Sequence, residues 1–148
     1  MGKEIERKFL VKGEFRHLAV RKLEIIQGYL SVDPSRILRL RISDGKSVIS
    51  IKAPAEDTGF ARYEWEIEIP VETAREIMKI CLGQIIYKTR YIVPFVDHNF
   101  EVDQFHGKNE GLIIAEIELA DENEFFEKPA WLGDEVTGKP EYYNSNLI

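Results

Sequence analysis

The chain alternates from its first residues. Glu4, Glu6, Lys8 and Leu10 fall on one face of an extended segment, and Ile5, Arg7, Phe9 and Val11 on the other. Period two returns in seven further runs. Glu24 to Ser31 is rich in β-branched and aromatic residues and ends at Asp33-Pro34-Ser35, which is turn chemistry. Arg36 to Ile42 sets Arg39 and Arg41 against Leu38, Leu40 and Ile42, and the Asp44-Gly45 pair that follows predicts a hairpin with Lys46 to Lys52. Tyr63 to Ile69 sets Glu64, Glu66 and Glu68 against Tyr63, Trp65, Ile67 and Ile69 after a polar loop around Asp57 to Gly59. Ile85 to Val93, Asn99 to Phe105 and Leu112 to Leu119 complete eight predicted strands.

One segment breaks the alternation. Glu72 to Ile80 follows Pro70 with acidic residues early and Lys79 late, which predicts a helix with Gly83 as its C-terminal cap. From Asp121 onward the chain mixes acids, aromatics and Gly-Pro punctuation, and reads as short helices and loops laid over a sheet.

The charged positions carry the chemistry. Glu4/Glu6/Lys8, Arg39/Arg41, Glu64/Glu66/Glu68, Lys88/Arg90, Glu101/Asp103 and Glu116/Glu118 each point one way while large apolar residues point the other. For one strand, a solvated sheet face explains such a pair. A solvated face interleaves acids and bases, however, and here the two signs are sorted onto separate strands. Like charges two apart repel unless an opposite charge lies between them, so the pattern calls for both a cation and an anion. About eight antiparallel strands can close into a barrel around a small ligand. With the charged faces inward, the interior is a polar tunnel, and the apolar faces, including Leu38, Leu40, Tyr63, Trp65, Tyr87, Tyr91, Ile117 and Leu119, turn outward and need cover from the helix and the C-terminal segment. Arg7 breaks the pattern; its stem is expected to pack while its head reaches water.

Composition narrows the choice. The 148 residues suit one domain, and the apolar share of 44% is enough for one core. The net charge of −6, without a run of Lys and Arg, argues against duplex nucleic acid and anionic bilayers as partners. A charged N-terminus and the lack of any long apolar segment make a cytoplasmic protein the expectation. The single cysteine, Cys81, sits between Ile80 and Leu82 and reads as a packed thiol. Carboxylates with few His and one Cys favour Mg²⁺ or Mn²⁺ over zinc, and the anion that accompanies those metals is a polyphosphate. Arg offers phosphate a bidentate fork and Lys a point charge. His17, His98 and His106 fall in or near loops and are given no catalytic part.

Glu4-Ile5-Glu6-Arg7-Lys8 resembles the ExExK signature of the CYTH superfamily, the triphosphate tunnel metalloenzymes. The order of the later elements matches as well: the pair Arg39 and Arg41, then Lys52, Glu64 and Glu66, Lys88 and Arg90, Glu101 and Asp103, and Glu116 and Glu118. The resemblance spans residues 1 to 120 and extends toward the tail. It implies an α+β, mainly β fold: a closed antiparallel eight-stranded barrel over residues 3–120, with covering helices and a covering or lid segment at 121–148, in one domain of residues 1–148. It implies that Glu4, Glu6, Asp103, Glu116 and Glu118 serve the metal site, with Glu64, Glu66 and Glu101 as supporting acids. Lys8, Arg39, Arg41, Lys52, Lys88 and Arg90 match the triphosphate-binding set, and Tyr29, Lys52 and Lys88 are the candidates for preparing the attacking water. Two Mg²⁺ or Mn²⁺ ions with substrate are expected. The short chain and its aromatic tail (Trp131, Tyr142, Tyr143) are most similar to small bacterial members that hydrolyse inorganic tripolyphosphate. A class IV-like adenylyl cyclase, a thiamine triphosphatase and a non-enzymatic polyphosphate-binding module are the alternatives, and an outward barrel edge leaves room for a homodimer.

Overall fold

A computed structural model of the protein describes residues 2–55 and 61–148; the polar loop expected around Asp57 to Gly59 lies outside the described residues. Its strands are β1 (Gly2–Val11), β2 (Arg21–Ser31), β3 (Ile37–Ser43), β4 (Lys46–Pro54), β5 (Ala61–Ile69), β6 (Leu82–Phe95), β7 (His98–Phe105), β8 (Ile113–Leu119) and β9 (Leu132–Glu135), with one α-helix, α1 (Val71–Met78), between β5 and β6. Neighbours run β5-β4-β3-β2-β6-β7-β8-β1, all antiparallel. Pairing of Gly2 to Ile5 with Glu64 to Ala61 joins β1 to β5 and closes the eight-stranded barrel.

Local chemistry sets the register. Asp44 and Gly45 both have positive φ, 54° and 73°, and form the two-residue loop that pairs Ser43 with Lys46. That register fixes the parity of β3 and β4, so Arg39 and Arg41 turn to the same interior as Lys52.

Because most of the interior is polar, the larger apolar core lies outside the barrel. Phe9, Phe15, Phe100, Val102 and Ile117 are buried against Phe126, Trp131 and Leu132 of the C-terminal segment. Trp131 meets Phe100 edge-on at 5.3 Å, and Phe126 meets Phe9 edge-on at 5.8 Å. A smaller cluster of Tyr29, Ile37, Ile86, Phe105 and Ile114 lies on the inward faces instead, with Tyr29 and Ile37 lining the cavity, and is covered by Tyr142, Leu147 and Ile148. On the opposite wall, α1 lies over β3 and β4, and Leu40 is buried.

Four expectations need correction. The helix ends at Met78 and is capped at Lys79, whose N–H reaches the carbonyls of Glu76 and Ile77. Gly83 therefore lies inside β6, where its positive φ of 58° lets the chain pass against Ile148. Arg7 does not simply reach water: its guanidinium forks onto Glu135 of β9 and lies 5.5 Å over the Phe126 ring. The C-terminal segment is more than loops and short helices, because β9 pairs with β1 alongside β8. The outward aromatic cover is also incomplete, with Trp65 38% and Tyr87 51% exposed. Among the described residues no helix is long and apolar enough to cross a membrane.

Cys81 is a packed thiol, as expected, with Sγ 3.7 Å from the carbonyl of Ile77 and burial pushing its pKa up. It presses on Gly28 of β2, where an added Cβ would lie 2.7 Å from Sγ and 3.0 Å from Met78 Sδ. Gly28→Ala is therefore expected to lower stability by about 1–3 kcal/mol in denaturant titration, and Cys81→Ala in the same chain to restore part of that loss.

Candidate active site

The inward faces enclose a cavity of about 240 Å³. It is lined by Glu4, Glu6 and Lys8 of β1, Tyr29 of β2, Arg39 and Arg41 of β3, Lys52 of β4, Glu64 and Glu66 of β5, Lys88 and Arg90 of β6, Glu101 of β7, and Glu116 and Glu118 of β8. Strand parity thus gathers residues from across the chain onto one wall. Of the charged residues singled out, Glu68 is exposed and Asp103 is buried, and neither lines the cavity. Asp103 is 1% exposed and sits behind the lining, with Oδ1 2.7 Å from Arg90 Nε and Oδ2 2.9 Å from Arg90 Nη2. Lys88 Nζ lies 2.7 Å from the same carboxylate. Both oxygens of Asp103 are taken by cations, so it anchors Lys88 and Arg90.

Register decides which charges meet. Lys8 stands opposite Glu116, Lys52 opposite Glu64, and Arg90 opposite Asp103, so half of the six cations singled out have an acidic cross-strand neighbour. Lys52 Nζ also donates to Glu4 at 2.9 Å, and Arg39 approaches Glu64 at 3.9 Å. On β1, β8 and β7 the register instead sets acid against acid: Glu6 faces Glu118, and Glu116 faces Glu101. Directly opposed like charges destabilise a sheet unless something of opposite sign joins them.

Ionisation follows this map. Burial and the adjacent Glu116 push the Glu6 carboxyl up to about 8, and burial, Glu4 and Glu101 raise Glu118. Burial would raise Glu116 as well, but Lys8 and Arg90 outweigh it and hold it at about 2. Glu4 is lowered because Lys52 overcomes the cost of burial. Among the bases, burial pulls Lys88 down to about 7 against the opposing pull of Asp103. Burial with Arg39 and Arg90 nearby takes Arg41 to about 9.

The donors suit a hard cation and an anion together. Among the described residues no three His, Cys, Asp or Glu side chains converge into a ready-made metal cage. Mg²⁺ and Mn²⁺ do not require one, because one or two carboxylates complete a shell otherwise made of water and phosphate oxygens. Glu6, Glu118, Glu116 and Glu101 supply only oxygen and are crowded acid against acid, although Glu116 has Lys8 and Arg90 and Glu101 has Arg90 within ion-pair distance, and they fit such an ion. The anion side shows the converse. Arg39 Nε and Arg41 Nε are buried donors without a partner, and Arg41 has no carboxylate within ion-pair distance among the described residues. Buried donors left open in this way fit an anion with several acceptor oxygens.

Several lining residues were not singled out from the sequence. Arg62 of β5 shares the inward parity of Glu64 and Glu66, a signal that was present in the alternation. Thr137, Gly138, Tyr143, Asn144 and Ser145 come from the tail and close one side of the cavity. Asn144 Oδ1 accepts from both Lys88 Nζ and Gln27 Nε2 at 2.9 Å, and Lys8 Nζ donates to the Tyr142 carbonyl at 3.2 Å. No local pattern in the tail announces these contacts, because they depend on how it crosses the barrel. Tyr29 is 3% exposed, and its hydroxyl lies 3.5 Å from Gln27 Nε2. His98 and His106 are tied to Glu124 and Thr89 away from the cavity lining.

Comparison with known proteins places this arrangement. Residues 2–146 match the model of the CYTH domain. The inorganic triphosphatase of Acetivibrio thermocellus is 46% identical over 149 residues, covering 100% of this chain and 94% of that protein. The inorganic triphosphatase of Nitrosomonas europaea is 34% identical, covering 97% and 95%. A crystal structure of an inorganic triphosphatase superposes with a TM-score of 0.67 at 33% identity, covering 99% of this chain and 95% of that one. From its strand order, its inward charges and these matches, the chain belongs to the CYTH domain family.

Proposed function

We propose that the protein is a metal-dependent triphosphatase that hydrolyses a phosphoanhydride bond of linear triphosphates, with inorganic tripolyphosphate, cleaved to pyrophosphate and phosphate, as the preferred substrate. The observation that carries this reading is the closed barrel whose interior divides into opposed carboxylates on β1, β7 and β8 and open guanidinium donors on β3. The relatives named inorganic triphosphatase support it.

In this reading Arg39 and Arg41 grip phosphate oxygens with their free N–H groups, while Lys8, Lys52, Lys88 and Arg90 surround the chain with charge. Glu4, Glu6, Glu116 and Glu118 hold Mg²⁺ or Mn²⁺, with Glu64, Glu66 and Glu101 in support; Asp103 acts through Lys88 and Arg90. The metal supplies charge neutralisation at the phosphate oxygens and a water of lowered pKa. These fixed charges need little rearrangement as negative charge shifts toward the leaving oxygen. A water attacks the terminal phosphorus, the bridging P–O bond breaks with its electron pair leaving on the pyrophosphate oxygen, and the proton of the attacking water passes to a product phosphate oxygen. Tyr29, Lys52 and Lys88 are the residues proposed to orient that water. Lys52 is engaged by Glu4 and Lys88 by Asp103 and Asn144, which leaves the Tyr29 hydroxyl the freest of the three.

The test is phosphate release from tripolyphosphate, ATP and thiamine triphosphate side by side, with Mg²⁺, with Mn²⁺ and with chelator, while the ATP reaction is followed for cyclic AMP. Fast release from tripolyphosphate that stops with chelator is expected; cyclic AMP, or binding without cleavage, would overturn the assignment. Glu116→Gln is expected to lower kcat by on the order of 10²-fold or more while the circular dichroism spectrum stays native. Arg39→Ala is expected to act mainly on KM, raising it on the order of tenfold through the lost charged hydrogen bonds. Unchanged turnover in folded Glu116→Gln protein would remove that residue from the metal site.

A further inference from the structure

We propose that Arg62 is a substrate-binding residue that grips one end of the phosphate chain and makes the tunnel favour three phosphates over two; this rests on the triphosphate reading above. Arg62 points inward two residues before Glu64, one strand step of about 7 Å farther along the wall. Five of the other tunnel cations are each within ion-pair distance of a carboxylate: Lys8, Arg39, Lys52, Lys88 and Arg90. Arg62 stands across from Glu4 in the strand register, yet Glu4 is engaged by Lys52, and no carboxylate lies within 4.0 Å of Arg62 among the described residues.

Its guanidinium instead lies over the ring of Tyr143, 5.5 Å from the centroid. Among the described residues no side-chain hydrogen bond uses its N–H groups, so these donors are available to a bidentate anion. The same ring lies 5.6 Å from Lys8 Nζ, so Tyr143 contacts two tunnel cations. Tyr143, Asn144 and Ser145 line the cavity with Arg62, so a chain end that reaches Arg62 also meets the tail. A bare terminal phosphate, small and rich in acceptor oxygens, suits that corner. A diphosphate seated on the inner cations stops short of it, and a third phosphate extends the ligand to Arg62.

The experiment is calorimetric titration of tripolyphosphate and of pyrophosphate into wild-type, Arg62→Ala and Arg62→Lys protein, in chelator so that nothing turns over. Arg62→Ala is expected to weaken tripolyphosphate by about tenfold or more and pyrophosphate by less than about threefold, with Arg62→Lys between because it keeps charge but loses the fork. Equal losses for the two ligands, a larger loss for pyrophosphate, or losses below about twofold for both would overturn the proposal. If Arg62→Ala does not fold, the same comparison in Arg62→Lys decides. Wild-type protein that binds with this selectivity yet hydrolyses no triphosphate would sink the proposed function and leave Arg62 in place. Wild-type protein that does not bind tripolyphosphate would sink both.

Discussion

Asp103, buried between Arg90 and Lys88, is the interaction on which the interior depends. Two adjacent cations on β6 would repel if left alone in a site shielded from water. A carboxylate placed behind them on β7 removes that repulsion without occupying the tunnel. Breaking such a buried group of charges costs about 3–5 kcal/mol, because the remaining members keep the expense of burial and lose its compensation. From this anchor the pairing spreads: Arg90 approaches Glu116 at 3.8 Å, and Glu116 approaches Lys8 at 3.8 Å. On the other side of the barrel, Lys52 joins Glu4 and Glu64, and Glu64 reaches Arg39. These contacts tie strands together around the barrel, so the fold and the site are held by the same groups.

What the pairing leaves over defines the chemistry. Glu6 and Glu118 lie against other acids, while Arg41 lies near other cations. A protein selected only for stability would neutralise both surpluses. Here they persist on opposed walls of one cavity, each matched to one half of a metal–polyphosphate ligand. The strain of holding like charges together is offset when that ligand arrives, and the groups are already in position when it does.

Much of this was legible because strand parity is a strict rule. Once a segment alternates, the side of every residue follows, and the Asp44-Gly45 turn fixed which segments paired. Sorting of charge by strand then exposed the need for two ligands. Parity gives direction but not depth: Asp103 points the same way as Glu101 and still sits behind the lining, because Arg90 and Lys88 cover it. Arg62 obeyed the rule but stood as a lone base ahead of a run of acids. The ends of elements were harder. Arg7 found Glu135 and Phe126 more than a hundred residues away, and β9 is a four-residue strand that contains Gly133. Such contacts come from tertiary packing and leave no local period.

Outward-facing packing has a consequence for where this molecule can be divided. Phe126, Trp131, Leu132 and Val136 belong to the buried set, and Arg7 clamps the tail from the back of the same strand that carries Glu4, Glu6 and Lys8. The eight barrel strands therefore do not form a self-sufficient module with an appendage. Their greasy exterior is finished only by the residues that follow β8, so the smallest heritable piece of this architecture is the barrel with its wrapping.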